Sequence, residues 1–172
     1  MNKKELREQR ASSYKGPLEQ LCRRFNPASI FEWGPGPSTI LMAKTCPNAS
    51  ITTIEHDEKY IRKWTPEFKA LKNVTMHHKV ISMAGGKSTG YVSSVLDHGL
   101  HELIFVDGRF RRDCLRVARA ALAPGGVVVL HDCHRANYLP ATKYFHHRRV
   151  WTDLRTMVMG DGPLREFGDK DA

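Results

Sequence analysis

The sequence predicts a doubly wound α/β fold: a mostly parallel sheet with helices on both faces and a C-terminal antiparallel strand. Three observations carry this. Short apolar runs such as Ile51-Thr52-Thr53-Ile54, Leu103-Ile104-Phe105-Val106 and Val127-Val128-Val129-Leu130 lack the alternation of a half-exposed strand, as expected of strands buried on both faces. Helical stretches separate them, which is the alternation of a covered parallel sheet. The apolar runs also end in glycines and acids, at Glu32-Trp33-Gly34, Glu55, Asp107-Gly108 and His131-Asp132. Sheets of this kind bind ligands at such ends.

Residues 1–13 are polar and read as a loose lead-in. Leu18, Leu21, Cys22 and Phe25 recur at helical spacing, so a helix is predicted over 17–25, stopped by Asn26-Pro27. A strand over 29–33 follows, then a helix over 38–45 packing through Ile40, Leu41 and Ala43. The β-branched run 50–54 is the second strand. Asp57 is placed to cap a helix over 58–68, with Pro66 weakening its last turn. A third strand is expected over 74–79, a mobile loop rich in Gly, Ser and Lys over 81–90, and a short helix over 92–96. The strand 103–106 leads into a helix over 112–122, with Cys114, Leu115, Ala118 and Leu122 inward and Arg112, Arg116 and Arg119 outward. Pro124-Gly125-Gly126 reads as a turn before a strand over 127–130. A helical stretch near 138–145 and strands over 149–153 and 156–159 complete the order. Residues 14–160 read as one domain and 161–172 as a loose tail.

Composition narrows the function classes. A chain of 172 residues buries a core without staples. No stretch approaches transmembrane length, and the N-terminal MNKKELREQR has no apolar signal region. Cys22, Cys46, Cys114 and Cys133 show no CxxC pairing, so buried free thiols and a reducing, cytoplasmic setting are expected. The net charge is +9, from 27 Lys plus Arg against 18 Asp plus Glu. That bias suits an anionic partner. The basic residues are spread along the chain without interleaved aromatics, which favours a solvated basic surface over a nucleic-acid site.

The stretch SIFEWGPGPSTI, residues 29–40, reads as strand, glycine turn and helix start, with Ser38 and Thr39 placed to cap the helix. Such a turn holds a nucleotide-like ligand. A dinucleotide needs G-x-G-x-x-G, but Thr39 stands at the third glycine position, and Pro35 and Pro37 remove two N–H groups that a pyrophosphate would use. S-adenosylmethionine has no phosphate. It needs close backbone approach and a nearby carboxylate for its ammonium, which Gly34, Gly36 and Glu32 supply. Glu55, 19 residues beyond Gly36, is placed for ribose hydroxyls, a feature shared with NAD enzymes.

With FEWGPGPST, ITTIEHDEKY and ELIFVDGRFRRDCLRVARAALAPGGVVVLHDCHRANY together, the sequence resembles the class I S-adenosylmethionine-dependent methyltransferases, which have a Rossmann-like fold. The patterns E-W-G-x-G-x-S-T, I-E-H-D and V-D-G-R-x-R-x-x-C-L match a bacterial-type branch, over about 29–138. The resemblance implies that Gly34, Gly36 and Ser38 line the methionine part, with Glu32 near the ammonium. It implies that Glu55 holds the ribose with His56 beside it, that adenine lies near 79–83, and that Asp107 sits near the sulfonium. Ser38 replaces the superfamily's third glycine, and Pro35 and Pro37 stiffen the loop.

Asp107 and His131-Asp132 end two apolar strands and should meet at the edge that carries the glycine turn. A hydroxyl acceptor needs its proton removed during in-line transfer, and His131 has a suitable intrinsic pKa. Asp107, His131 and Asp132 are therefore the candidate catalytic residues. Catechol-type and sugar-type relatives hold a divalent ion at such positions, so the same three residues are also a candidate metal set. Cys133 stands where catechol-type enzymes have Asn, and Asp-His-Asp suits manganese better than magnesium. The structural alternatives are a helix cap for Asp132, a satisfied edge residue for His131 and a plain turn at Asp107-Gly108. The pairs His77-His78 and His146-His147 read as surface, because neighbours on a strand point to opposite faces.

Arg109, Arg111 and Arg112, with Arg135 and Tyr138, are candidates for binding a small anionic or saccharide-like acceptor, or else a solvated helix start. The leading function is transfer of a methyl group from S-adenosylmethionine to a hydroxyl of that acceptor. No Asn-Pro-Pro-Tyr-type tetrapeptide for methylating bases occurs, which lowers a nucleic-acid target. The alternatives are a non-catalytic binding or partner protein on the cofactor fold and an NAD-dependent oxidoreductase.

Overall fold

The computed structural model describes residues 12–81, 90–151 and 153–164. Among them, seven strands form one sheet: β1 (Ser29–Trp33), β2 (Ser50–Glu55), β3 (Val74–His78), β4 (His101–Val106), β5 (Leu122–His131), β6 (His147–Val150) and β7 (Thr156–Gly160). Their order is β3-β2-β1-β4-β5-β7-β6. The first five run parallel, and β7 is antiparallel to both β5 and β6. This is the predicted mostly parallel sheet with an antiparallel C-terminal end. β1 pairs with β2 on one side and β4 on the other, with Phe31 opposite Thr52 and Ile104. The strand order reverses between β1 and β4, so a crevice opens at their C-terminal ends.

Helices α1 (Lys15–Phe25), α2 (Pro37–Thr45), α3 (Glu58–Lys69), α4 (Arg111–Ala118) and α5 (Leu139–Thr142) join the strands. Successive strand residues point to opposite faces. Ile30, Leu103, Phe105 and Val129 pack with Leu18 and Leu21 of α1 and Met42 of α2. Phe31, Trp33, Ile104 and Val106 pack on the other face with Cys114 and Leu115 of α4. Both faces are dry, so the central runs are apolar throughout, and each large side chain so buried contributes about 1.5–3 kcal/mol. All four cysteines are buried and unpaired. No helix among the described residues is long and apolar enough to cross a membrane.

The structure departs from the sequence reading where tertiary contacts override local signals. The helix predicted over 112–122 ends at Ala118, and after one tight turn over Arg119–Ala121 the chain is already β5 at Leu122. The predicted turn at Pro124-Gly125-Gly126 lies inside that strand. His101 pairs with Leu122 but Leu103 pairs with Val127, so the intervening residues bulge out of register. Gly125 has φ +76°, and Pro124, which has no N–H to pair, is accommodated in the bulge. α3 runs through Pro66 to Lys69, anchored by buried Phe68 stacked on Trp64.

The strand predicted over 149–153 is β6, ending at Val150. Asp153 Oδ1 accepts the N–H groups of Arg155 and Thr156, which turns the chain there. The helix predicted near 138–145 is a tight turn over Ala136–Tyr138 plus the short α5. The one predicted over 92–96 is a 3₁₀ segment, Ser93–His98. Most of the predicted lead-in, the loop positions 82–89 and residues 165–172 lie outside the described residues.

Candidate functional site

The turn after β1 is built from below. Gly34 sits at φ +89°, and a Cβ there would lie 2.7 Å from Gly108 Cα, so only glycine fits against the loop after β4. Gly36 is different. A Cβ on it would meet only the Trp64 ring, at 3.9 Å, so its missing side chain leaves room on the cavity wall. Glu32 lies beneath the turn, fully buried, and accepts hydrogen bonds from the Ser38 hydroxyl and, at 2.5 Å, from Thr39 Oγ1. Thr39 Oγ1 in turn accepts the Gly36 N–H at 2.9 Å, closing a cap on α2. Burial pushes the Glu32 carboxyl up to about 7, against the pull of the Ser38, Thr39 and Thr53 hydroxyls. Expected beside a ligand ammonium, Glu32 is instead absent from the cavity wall, because both its oxygens are spent holding the turn.

Glu55 ends β2 and is nearly buried. Its Oε1 accepts the N–H groups of His56 and Asp57 at 2.6 and 2.8 Å, and His56 Nδ1 lies 2.5 Å away. Among the described residues no hydrogen bond reaches Oε2, and Glu55 and His56 both line the cavity. The His56 ring meets Tyr91 edge-on with centroids 5.6 Å apart. Tyr91 is buried, and its hydroxyl accepts the Arg109 N–H at 3.3 Å. Of the expected adenine segment 79–83, Lys79 pairs with Asp97 and Ile81 packs on the core, while 82 and 83 lie outside the described residues.

Asp107, His131 and Asp132 do converge at the ends of β4 and β5, but only Asp107 lines the cavity. His131 is buried behind it, with Nδ1 2.9 Å from Asp107 Oδ1 and Nε2 3.2 Å from the Ser13 hydroxyl. Tyr14 packs edge-on against the His131 ring. Asp132 is buried in the left-handed region at φ +59° and binds Arg155 and, at 2.8 Å, Arg135. Burial tends to raise its carboxyl, but His131 and the guanidiniums of Arg155, Arg111 and Arg135 outweigh that and hold it below the usual range.

Arg111 spans the two acids. Its Nη2 lies 2.7 Å from Asp107 Oδ1 and its Nη1 3.6 Å from Asp132 Oδ2. The candidate metal set therefore does not fit a metal: a guanidinium stands against both carboxylates, and the His131 nitrogens are engaged. Among the described residues no three His, Cys, Asp or Glu side chains group to hold an ion.

These elements enclose a cavity of about 1170 Å³. Gly34, Gly36 and Ser38 form one wall, Glu55, His56 and Tyr91 the next, and Asp107 with Gly108 the floor; Arg109, Arg112, Arg135 and Tyr138 line it too. A family model described as a methyltransferase domain matches residues 31–133, which is more than half of the chain. The chain belongs to this methyltransferase-domain family.

Solved structures share its fold. A methyltransferase-like protein from Silicibacter pomeroyi superposes with TM-score 0.64 at 18% identity, covering 86% of this chain and 88% of that one. An O-methyltransferase of tomaymycin synthesis from Streptomyces achromogenes, solved with S-adenosylmethionine, gives 0.63 at 18% over 87% and 80%. A Bacillus cereus O-methyltransferase, solved with S-adenosylhomocysteine, gives 0.66 at 14% over 86% and 79%. No curated protein sequence matches the chain.

Within this methyltransferase domain the sequence reading missed several side chains of the cavity wall, Tyr91, Tyr60, Lys63 and Trp64 among them. Tyr91 directly follows the Gly/Ser/Lys-rich loop, an aromatic at a loop end. Tyr60, Lys63 and Trp64 come from α3, which the sequence marks only as a helix capped by Asp57. The histidine pairs are not chelating sites: His77 packs against His98, His78 Nε2 bonds the His56 carbonyl, and His146 meets Asp161.

Proposed function

We propose that this chain is an S-adenosylmethionine-dependent methyltransferase acting on a hydroxyl of a small anionic or saccharide-like acceptor. The observation that carries the reading is the single cavity joining the glycine turn, Glu55 and Asp107. Its volume exceeds what one drug-sized ligand fills, leaving space for an acceptor beside a cofactor. When bound, S-adenosylmethionine supplies an electrophilic methyl group on a sulfonium.

The chain's own residues provide the rest. Gly34 and Gly36 admit the amino-acid end close to backbone, with Ser38 beside them. Glu55 Oε2 accepts from ribose hydroxyls, and His56 with Tyr91 walls the adenine end. Asp107 faces the acceptor, orients its hydroxyl and receives its proton, while His131 from behind and Arg111, itself on the cavity wall, hold the carboxylate in place. His131 thus acts through Asp107. Arg109, Arg112 and Arg135 present positive charge to the acceptor at the rim, with Tyr138 offering a face for a ring.

Calorimetry with S-adenosylhomocysteine and with NAD tests the cofactor, with binding of the first and none of the second expected. Binding of NAD alone supports an oxidoreductase, and binding of neither leaves a partner protein. Asp107→Asn is expected to keep S-adenosylhomocysteine affinity within a few-fold yet lose about 100-fold or more in transfer. Full activity in that variant removes Asp107 from the chemistry.

A further inference from the structure

We infer that Arg111 is a built-in cation, occupying the place of a divalent ion between the strand ends, so that the site takes no metal and Arg111 positions Asp107. The guanidinium is held by oxygens alone. Nη2 lies 2.7 Å from Asp107 Oδ1 and donates to the Asp107 carbonyl at 2.8 Å. Nη1 donates to the His131 carbonyl at 2.6 Å and lies 3.6 Å from Asp132 Oδ2. Nε donates to the Gly108 carbonyl at 3.1 Å. Two carboxylates and three carbonyls are the donor class that hard divalent cations take. Here a planar fork uses it.

Further observations fit a fixed cation rather than a rim arginine. The Arg111 side chain is only 12% exposed, and the Tyr138 ring lies 5.7 Å from its Cζ. Phe110, just before it, is held at φ +52°, a conformation that costs energy and turns Arg111 back under the strand ends. The neighbouring Arg109 and Arg112 are exposed, so the inward turn is specific to Arg111. A guanidinium carries its charge at every working pH and needs no loading. It also cannot expand its coordination to accept a substrate oxygen, so orientation of the acceptor falls to the Asp107 carboxylate and the cavity rim.

The positioning role rests on the methyl-transfer reading, whereas the exclusion of an ion does not, and the two are read separately. Titration of the full chain with Mn²⁺, followed by electron paramagnetic resonance with and without S-adenosylhomocysteine, is expected to show no site-bound ion for the wild type at millimolar metal. Arg111→Met removes the cation and should bind Mn²⁺ at least about tenfold more tightly than the wild type. The double variant with Asp107→Asn should lose that gain. In Arg111→Met, the melting temperature should fall, because two carboxylates lose their shared cation, and recover on adding Mn²⁺, a rescue that a merely structural arginine would not give. Arg111→Lys keeps a cation and should bind no Mn²⁺.

Sub-millimolar Mn²⁺ binding by the wild type, abolished by Asp107→Asn, overturns the proposal. So does a folded Arg111→Met that gains no metal. If Arg111→Met does not fold, the wild-type and Arg111→Lys titrations decide. Failure of the wild type to bind S-adenosylhomocysteine at all strikes the methyltransferase reading and leaves the metal result standing.

Discussion

The turn after β1 and the loop after β4 touch each other, and each has a carboxyl group beside it, Glu32 beneath the first and Asp107 in the second, yet they accommodate it in opposite ways. Glu32 is enclosed by the hydroxyls of Ser38 and Thr39, and burial pushes it up to about 7. Asp107 faces a guanidinium and an imidazole. Hydroxyls partner a carboxyl in either protonation state, so Glu32 serves as a strut that need not be charged. A guanidinium partners only the ionised form well. Along one sheet edge, the end that holds the turn is built to be neutral and the end proposed to do chemistry is built around charge.

The comparison breaks most severely where the two loops meet. Gly108→Ala would put a Cβ 2.1 Å from the Tyr91 hydroxyl, and Gly34→Ala one 2.7 Å from Gly108 Cα. Each should lose about 3 kcal/mol or more in urea unfolding and abolish cofactor binding. Gly36→Ala sharpens the point: stability should change by less than about 1 kcal/mol while S-adenosylhomocysteine binding weakens.

Next comes the charged end. Asp132→Asn strands guanidiniums and should cost roughly 2–4 kcal/mol at neutral pH. Because the folded Asp132 carboxyl is depressed, its contribution is present above the unfolded value near 4 and is lost as pH falls through the folded one. Variant and wild type should therefore converge in denaturation midpoints taken toward pH 2.

The neutral end has the opposite sign. With Glu32 raised to about 7, its contribution is full below the unfolded value near 4.5 and is lost as pH rises through 7. Glu32→Gln should remove that decline, worth about 1–3 kcal/mol between pH 5 and 8. The smallest effect is at the far end of β4. There burial, aided by His98, pushes His101 down to about 4. Its stabilisation is present above about 6.5 and lost as pH falls through 4. His101→Phe should flatten that acid limb by about 1–2 kcal/mol without altering ligand affinity.

Local signals made the core of the sheet legible. β1 was bounded correctly because its apolar run is enclosed by Pro27 and Gly34, and Asp57 caps α3 as expected, accepting the N–H groups of Lys59 and Tyr60. The errors fall where pairing partners decide. Pro124-Gly125-Gly126 looks like a turn until β4 draws it into a bulge, and the strand that starts through Arg149 and Val150 looks as if it continues through Trp151 until Asp153 turns the chain.

At the site, the sequence pointed to strand ends that border one cavity in the structure. It did not reveal that Glu32 is spent on Ser38 and Thr39, or that Arg111 rather than Arg109 turns inward. Both depend on side-chain direction at the ends of strands and helices, which no periodicity encodes. Tyr91 was invisible for a similar reason: it reaches Gly108 across 16 residues of intervening chain.

The outermost strand gives the basic composition a use that has nothing to do with binding. Among the described residues β6 ends the sheet, and one side of its backbone faces away from β7. Such a border is a template for pairing with another molecule. His146, His147, Arg148 and Arg149 crowd the start of this four-residue strand. Two copies approaching edge to edge bring like charges together, so part of the +9 excess keeps molecules apart. That protection is electrostatic and fades as salt shortens the screening length to a few ångströms. Colloidal stability of this chain should therefore fall with ionic strength while its folding stability barely changes.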